Sequence, residues 1–212
     1  AMVLTSIPAL ADTPAHEAQA REIYARSVGF RTAAGQRQVP AMVAYLKDVL
    51  TKAGIPASDI VTLDYGESQA MIERVPGRRH DRPILFSAHM DVGDARPEDW
   101  ERSPCTLLEE NFVFYGRGTS DNKAGVAALM STILRLHAGQ MRPARDLVFA
   151  FVGDEETGML TTKLIADHPW VANAEFAINT DAGGGLLDDA TGKPLIYLVQ
   201  GAEKTYASFD LM

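Results

Sequence analysis

Acidic and imidazole side chains fall where apolar runs stop. Ile84-Leu85-Phe86-Ser87-Ala88 leads into His89-Met90-Asp91, and the run from Leu147 to Val152 leads into Gly153-Asp154-Glu155-Glu156-Thr157-Gly158. A third run, Glu175 to Thr180, ends at Asp181 and is followed by Ala182 and the glycines Gly183 to Gly185. Between the first two lies Gly116-Arg117-Gly118-Thr119-Ser120-Asp121-Asn122-Lys123, which opens a helical pattern. In an open α/β sheet the functional crevice lies outside the carboxyl ends of the strands. Three strands that deliver His and carboxylates to one such edge make a candidate metal site.

Carboxylates and neutral imidazole suit Zn²⁺, and acid-rich sites can hold two ions through one bridging carboxylate. Two ions ~3.5–4 Å apart can clamp both an attacking water and a scissile carbonyl. Neighbouring side chains diverge, so of Glu155 and Glu156 one can bind metal while the other faces the substrate as general base. Asp91 stands two residues after His89, placed to accept the imidazole's other N–H, as carboxylates behind metal-binding histidines do. Each piece alone has a plainer reading. A single His at a strand end is usually a satisfied polar group, Asp-Glu-Glu a solvated loop, and a glycine run a turn. Gly116-Arg117-Gly118 lacks the second glycine of a phosphate loop and the third of a dinucleotide fingerprint. It is the joint order of the motifs that favours chemistry.

The elements that must position these residues follow from periodicity. Apolar residues at helical spacing predict helices over 15–28, 39–53, 122–137 and 159–167. Alternating or continuous apolar runs predict strands over 60–63, 69–75, 84–88, 112–115, 147–152, 176–179, 196–199 and 205–211. Strand and helix alternate through the middle of the chain. That order predicts an α/β fold: a three-layer α/β/α sandwich around a mixed, mostly parallel sheet.

Bulk composition narrows the function further. The chain has 212 residues, with 28 acids against 20 bases for a net charge of −8, and no Lys/Arg cluster. Nucleic-acid binding needs a basic stripe and is set aside. Cys105 is the only cysteine, which excludes a disulfide framework and a thiolate zinc site. No stretch approaches the ~20 apolar residues of a membrane span. Residues 2–11 resemble the end of a signal-peptide apolar region, with Ala9-Leu10-Ala11 as a small-x-small cleavage site. Residues 1–11 are thus expected to be a signal-peptide remnant of a periplasmic or secreted protein; a cytoplasmic protein is the alternative.

The four motifs, in this order between about Phe30 and Gly201, resemble those of a co-catalytic zinc hydrolase family. That family includes glutamate carboxypeptidase, aminoacylase, acetylornithine deacetylase, succinyl-diaminopimelate desuccinylase and several dipeptidases. The resemblance implies that His89 and Asp181 hold one zinc, Glu156 the other, and that Asp121 bridges them. Glu155 would be the general base, Asp91 the orienting acid, and Asp121-Asn122 a cis peptide. It also implies a small peptide or N-acyl amino acid as substrate, and an exported location, which suits nutrient peptides, favours a carboxypeptidase or dipeptidase. An N-acyl-amino-acid deacylase and a catalytically incompetent metal-binding fragment are the alternatives.

In that family a lid or dimerisation domain follows the third motif, and the returning chain supplies a last His ligand. Residues 12–200 would then be the N-terminal part of the catalytic domain and 201–212 the start of the lid. Dimerisation through that lid is a further expectation. Neither His16, His80, His137 nor His168 stands in a context like that of the last ligand. Two zinc ions are therefore expected in a complete enzyme, and one or none in these residues alone.

Overall fold

Two helices, α1 (Pro14–Gly29) and α2 (Val39–Lys52), lead into a hairpin of β1 (Ile60–Tyr65) and β2 (Ser68–Val75) in the computed structural model, which describes residues 14–111, 113–181 and 184–202. Strand β3 (Ile84–His89) follows, then a small hairpin of β4 (Leu108–Glu110) and β5 (Val113–Tyr115), then helix α3 (Lys123–Ala138). Strand β6 (Leu147–Val152), helices α4 (Leu160–Ala166) and α5 (Pro169–Ala172), and strand β7 (Phe176–Asn179) come next. A last hairpin joins β8 (Gly184–Leu187) to β9 (Pro194–Leu198). The expected leader at 1–11 and strand at 205–211 lie outside the described residues, as does Phe112 of the expected 112–115 strand.

The central sheet runs β1-β2-β6-β3-β7. It is mixed: β1/β2 and β2/β6 pair antiparallel, β6/β3 and β3/β7 parallel. The parallel half is the half that matters for the site, because register aligns the carboxyl ends of its strands. His89 pairs with Val152 and Ser87 with Asn179, so the loops after β3, β6 and β7 leave from one edge. The antiparallel half owes its direction to a two-residue hairpin loop at Gly66-Glu67. Gly66 takes φ 57 there, the left-handed region that such tight hairpins demand.

Strand β6 shows why its sequence is apolar without alternation. Phe149 and Phe151 face one side, packed with Met71, Leu46 and Ile133; Val148, Ala150 and Val152 face the other, with Ile72 and Ile165. A strand covered on both faces needs apolar side chains at every position. Helices α1, α2 and α3 cover the first face and α4 with α5 the second, giving the expected three layers. Met42, Leu46 and Leu50 of α2, and Met130 and Ile133 of α3, are completely buried. Burial of each such side chain contributes roughly 1.5–3 kcal/mol, which fixes the helices against the sheet.

Three elements depart from expectation, the first being β4, which was not among the expected strands. The plainer reading of the glycine run after Asp181 is a turn; Gly184 and Gly185 instead begin β8 and pair with Leu198 and Tyr197. With no Cβ at Gly185, the carbonyl of Ile196 can come within 3.1 Å of where one would stand. The short helix α5 also escaped prediction, being a single turn started by Pro169. No helix among the described residues is long and apolar enough to cross a membrane.

Candidate metal centre

His89 is the last residue of β3 and is 2% exposed. Its Nε2 lies 2.7 Å from Asp121 Oδ1 and 3.7 Å from Asp181 Oδ1. The three residues each offer one ligating atom, and these atoms all lie within 4.8 Å of one another. They arrive from three elements: the end of β3, the turn that enters α3, and the residue shortly after β7. The Asp121-Asn122 peptide is cis, as the resemblance implied. Asp121 and Asp181 keep 60% and 28% of their side-chain surface exposed, so the group opens onto the sheet edge.

The far side of the imidazole is held. Nδ1 lies 3.0 Å from the backbone carbonyl of Asp91, while the Asp91 carboxylate stands farther off, with Oδ1 at 3.5 Å. Asp91 was expected to orient the ring through its carboxylate; its main chain makes the shorter contact. A carbonyl can only accept, so Nδ1 carries hydrogen and Nε2 is left facing the two aspartates.

The electrostatics ask for a cation. Burial would lower the His89 pKa, but the adjoining carboxylates of Asp91, Asp181 and Asp121 outweigh it and raise it to about 9. Burial also pushes the Asp181 carboxyl up, reinforced by Asp121 and opposed by His89. Glu155 is raised as well, first by burial, with Asp181, Asp91 and Glu156 adding to it against His89. Crowded carboxylates beside one imidazole are stabilised by added positive charge, and the donors (one ring nitrogen, two carboxylate oxygens) match zinc's preferences.

The loop after β6 is pinned by two aspartates. Asp91 Oδ1 accepts the backbone N–H of Glu155 at 3.0 Å, and Oδ2 that of Glu156 at 2.9 Å. Asp154 accepts the backbone N–H groups of Leu160 at 2.7 Å and Thr161 at 2.9 Å, together with the Thr161 hydroxyl, so it ties the loop to the start of α4. Glu155 thereby lines the same cavity, of about 500 Å³, as His89 and Asp181, on a floor that includes Val152 and Ile165. Glu156 is exposed and outside the three-residue group; its Oε1 faces Gly93 N–H at 3.4 Å.

The structure therefore brings His89, Asp121 and Asp181 together, sets Asp91 behind His89 and Glu155 beside it, and leaves Glu156 on the rim. His80 pairs with Asp146 at 2.9 Å, and His168 accepts the Trp170 N–H at the start of α5, so neither approaches the group. Asp154 had no role in the sequence reading, although its place at the end of a strand and six residues before a helix was a capping signal. Lys123 was also passed over. It is 1% exposed and reaches back to donate to Phe30 O at 2.6 Å, anchoring the turn that carries Asp121. Burial lowers its pKa to about 8, against the pull of Cys105 and Asp91.

Comparison with known proteins follows the same lines. A human N-fatty-acyl-amino acid synthase/hydrolase is 34% identical over 133 residues, 62% of this chain and 26% of its own length. A probable succinyl-diaminopimelate desuccinylase of Staphylococcus aureus is 31% identical over 160 residues, 74% of this chain and 37% of its own. The chain thus spans well under half of these curated relatives. Human carnosine dipeptidase 1 superposes with a TM-score of 0.67 at 19% identity, over 79% of this chain and 40% of that one. An M20 family metallo-carboxypeptidase of Sulfolobus solfataricus superposes with a TM-score of 0.66 at 21% identity, over 81% of this chain and 38% of that one. At such identities the superpositions establish the shared fold. The sequence pattern of peptidase family M28 matches residues 70–193, more than half of the chain and all three residues of the candidate metal centre, and the chain belongs to that family.

Proposed function

We propose that this chain carries the metal centre of a zinc-dependent hydrolase that cleaves an amide bond of a small peptide or N-acyl amino acid. The observation that supports it most is the convergence of His89, Asp121 and Asp181 within 4.8 Å at the carboxyl edge of a parallel strand pair. In this reading His89, Asp121 and Asp181 hold one ion. Asp121 would be shared with a second ion, which Glu156 would hold from the rim. Residues 12–200 belong to the catalytic domain and 201–212 begin the next one.

Bound zinc supplies a positive charge that acidifies a water and polarises the substrate carbonyl. The chain's own groups do the rest. Glu155 takes a proton from the attacking water and returns it to the departing amine nitrogen, so that one carboxylate serves both halves of the reaction. Its raised pKa keeps it a competent proton carrier. Asp91 fixes where the Glu155 backbone starts, and Val152 and Ile165 give the cavity an apolar side. The peptidase reading is preferred within this class: a dipeptidase and a carboxypeptidase share the fold, and the family is one of peptidases. An N-acyl-amino-acid deacylase is the second reading, favoured by the acyl-amino-acid and succinyl-amine names of the relatives.

Zinc titration of wild type, His89→Ala and Asp181→Ala, with hydrolysis assays on dipeptides and acyl-amino acids, tests the proposal. Zinc uptake by wild type that both variants lose is the expected result. Equal uptake by all three proteins would overturn it.

A further inference from the structure

The two aspartates of the candidate metal centre sit next to two polar residues, one buried and one partly buried, that touch each other. Asn122, directly after Asp121, is completely buried, and Thr180 directly precedes Asp181. Thr180 Oγ1 lies 3.2 Å from Asn122 Oδ1 and 3.0 Å from the backbone carbonyl of Ser87, two residues before His89. The Thr180 backbone N–H also donates to Ser87 O, at 3.0 Å. One hydroxyl therefore contacts the elements that carry all three ligands: β3 by way of Ser87, the turn into α3 by way of Asn122, and the end of β7.

Three further observations set this contact apart from ordinary packing. Asn122 occupies the N-cap of α3, where an Asn side chain normally accepts from the helix's own first N–H groups, yet it makes no capping bond. Its side chain is turned instead toward Thr180. The Asn122 Nδ2 is buried with no hydrogen-bond partner among the described residues, so the arrangement is kept at a cost. And the space is exact to the atom: a Cβ on Gly125 would stand 2.0 Å from Asn122 Oδ1 and 2.2 Å from Thr180 Oγ1. Only glycine at 125 lets the two side chains meet. The Thr180 hydroxyl has one hydrogen: given to Ser87 O, it leaves Oγ1 to accept from the Asn122 amide turned with Nδ2 toward it; given to Asn122 Oδ1, it leaves Ser87 O to the Thr180 backbone N–H.

We infer that Thr180 is a positioning residue: its hydroxyl, seated on Asn122 and Ser87 over Gly125, sets the separation of Asp121 and Asp181 that the metal centre requires. Neither Thr180 nor Asn122 touches the ion or the substrate. A loss of the hydroxyl frees the Asp181 arm to drift from Asp121, and the ligand set must then be gathered by the ion itself. This inference rests on the metal-centre reading above. Positioning partners of metal ligands are typically worth ~10–100-fold in affinity.

The test is a zinc titration by chelator competition on wild type, Thr180→Val and Thr180→Ser. Melting of the metal-free proteins and the visible spectrum of the Co²⁺-loaded forms accompany it. The valine variant keeps the shape and removes the hydroxyl; the serine variant keeps the hydroxyl. The expected result is zinc affinity about 10–100-fold weaker and an altered Co²⁺ spectrum in Thr180→Val, near-wild-type values in Thr180→Ser, and metal-free melting close to wild type in both. Should the valine variant fail to fold, Thr180→Ala, which adds no bulk, carries the same expectation. Wild-type affinity and spectrum in the variant lacking the hydroxyl would overturn the positioning role alone. A wild-type protein that takes up no zinc, like the His89→Ala control, would overturn the metal centre and the positioning role with it.

Discussion

The Asp91 carboxylate holds the backbone N–H of Glu155 at 3.0 Å and, through its other oxygen, the next N–H along the chain at 2.9 Å. A side chain just past the end of β3 thereby decides where the acidic loop after β6 begins, while its own carbonyl steadies the His89 ring. The arm proposed to bind metal and the arm proposed to carry the proton are joined at one residue.

Asp91→Ala should therefore damage both arms. Removing the carboxylate leaves two N–H groups without their charged partner, and such bonds are worth ~1.5–3 kcal/mol. We expect zinc affinity and turnover each to fall about 10–100-fold, with Asp91→Asn between the two because it keeps one acceptor oxygen. Unchanged affinity and rate in the alanine variant would make Asp91 merely structural.

Glu155→Gln should separate proton transfer from metal binding. The amide retains the shape but cannot take up and return a proton at neutral pH, and Glu155 is outside the three-residue ligand group. Zinc uptake should match wild type while the rate of amide hydrolysis drops about 10²–10⁴-fold. Near-wild-type turnover would remove Glu155 from the mechanism.

Zinc uptake should be limited to about one tight equivalent in these residues and should release a proton. His89, Asp121 and Asp181 provide three donors, enough for one catalytic-type site, while Glu156 stands outside the group. The His89 pKa is raised to about 9, so below that pH the ring binds a proton that zinc must displace. Affinity should fall about tenfold for each pH unit below that value from this group alone. Calorimetry in buffers of different ionisation enthalpy reads the released proton directly; two tight equivalents, or none released, would contradict the assignment.

Glu73 gives a stability prediction independent of the metal. It sits in β2, 1% exposed, with Oε2 lacking a hydrogen-bond partner among the described residues. Burial, then the charge of Asp59, raise its pKa from 4.5 to about 8 against the pull of Arg74. Folding therefore favours the protonated form. Stability from this group is complete below pH 4.5 and is lost as pH rises toward 8, because over that range folding must take up a proton that the unfolded chain has released, and protons become scarcer. Glu73→Gln should remove that slope and raise stability above pH 8 by a few kcal/mol. Urea unfolding from pH 5 to 9 reads the difference, and parallel pH profiles for the two proteins would refute it.

Much of this protein was legible as a string. The run Leu147 to Val152 is apolar at every position because β6 is buried on both faces, and such a run announces a central strand before any coordinates exist. The helical spacing of Met42, Leu46 and Leu50 likewise announced α2. His89, Asp121, Glu155 and Asp181 were found because each closes a strand or opens a helix, and an α/β sheet collects such ends at one edge. Local periodicity carries that information because secondary structure depends on near neighbours in the chain.

Tertiary structure decided what depends on distant neighbours. Asp91, 65 residues from Glu156, pins the backbone at both glutamates, and the fold leaves Glu156 exposed on the rim. The β8 strand needed its partner β9, since Gly184-Gly185 has no side-chain preference of its own for pairing. The contact of Thr180 with Asn122, 58 residues apart, exists only because β7 docks beside β3 over Gly125. Sequence spacing names the residues that can do chemistry; which of them meet, and at what distance, is set by strand order and register, which no local window contains.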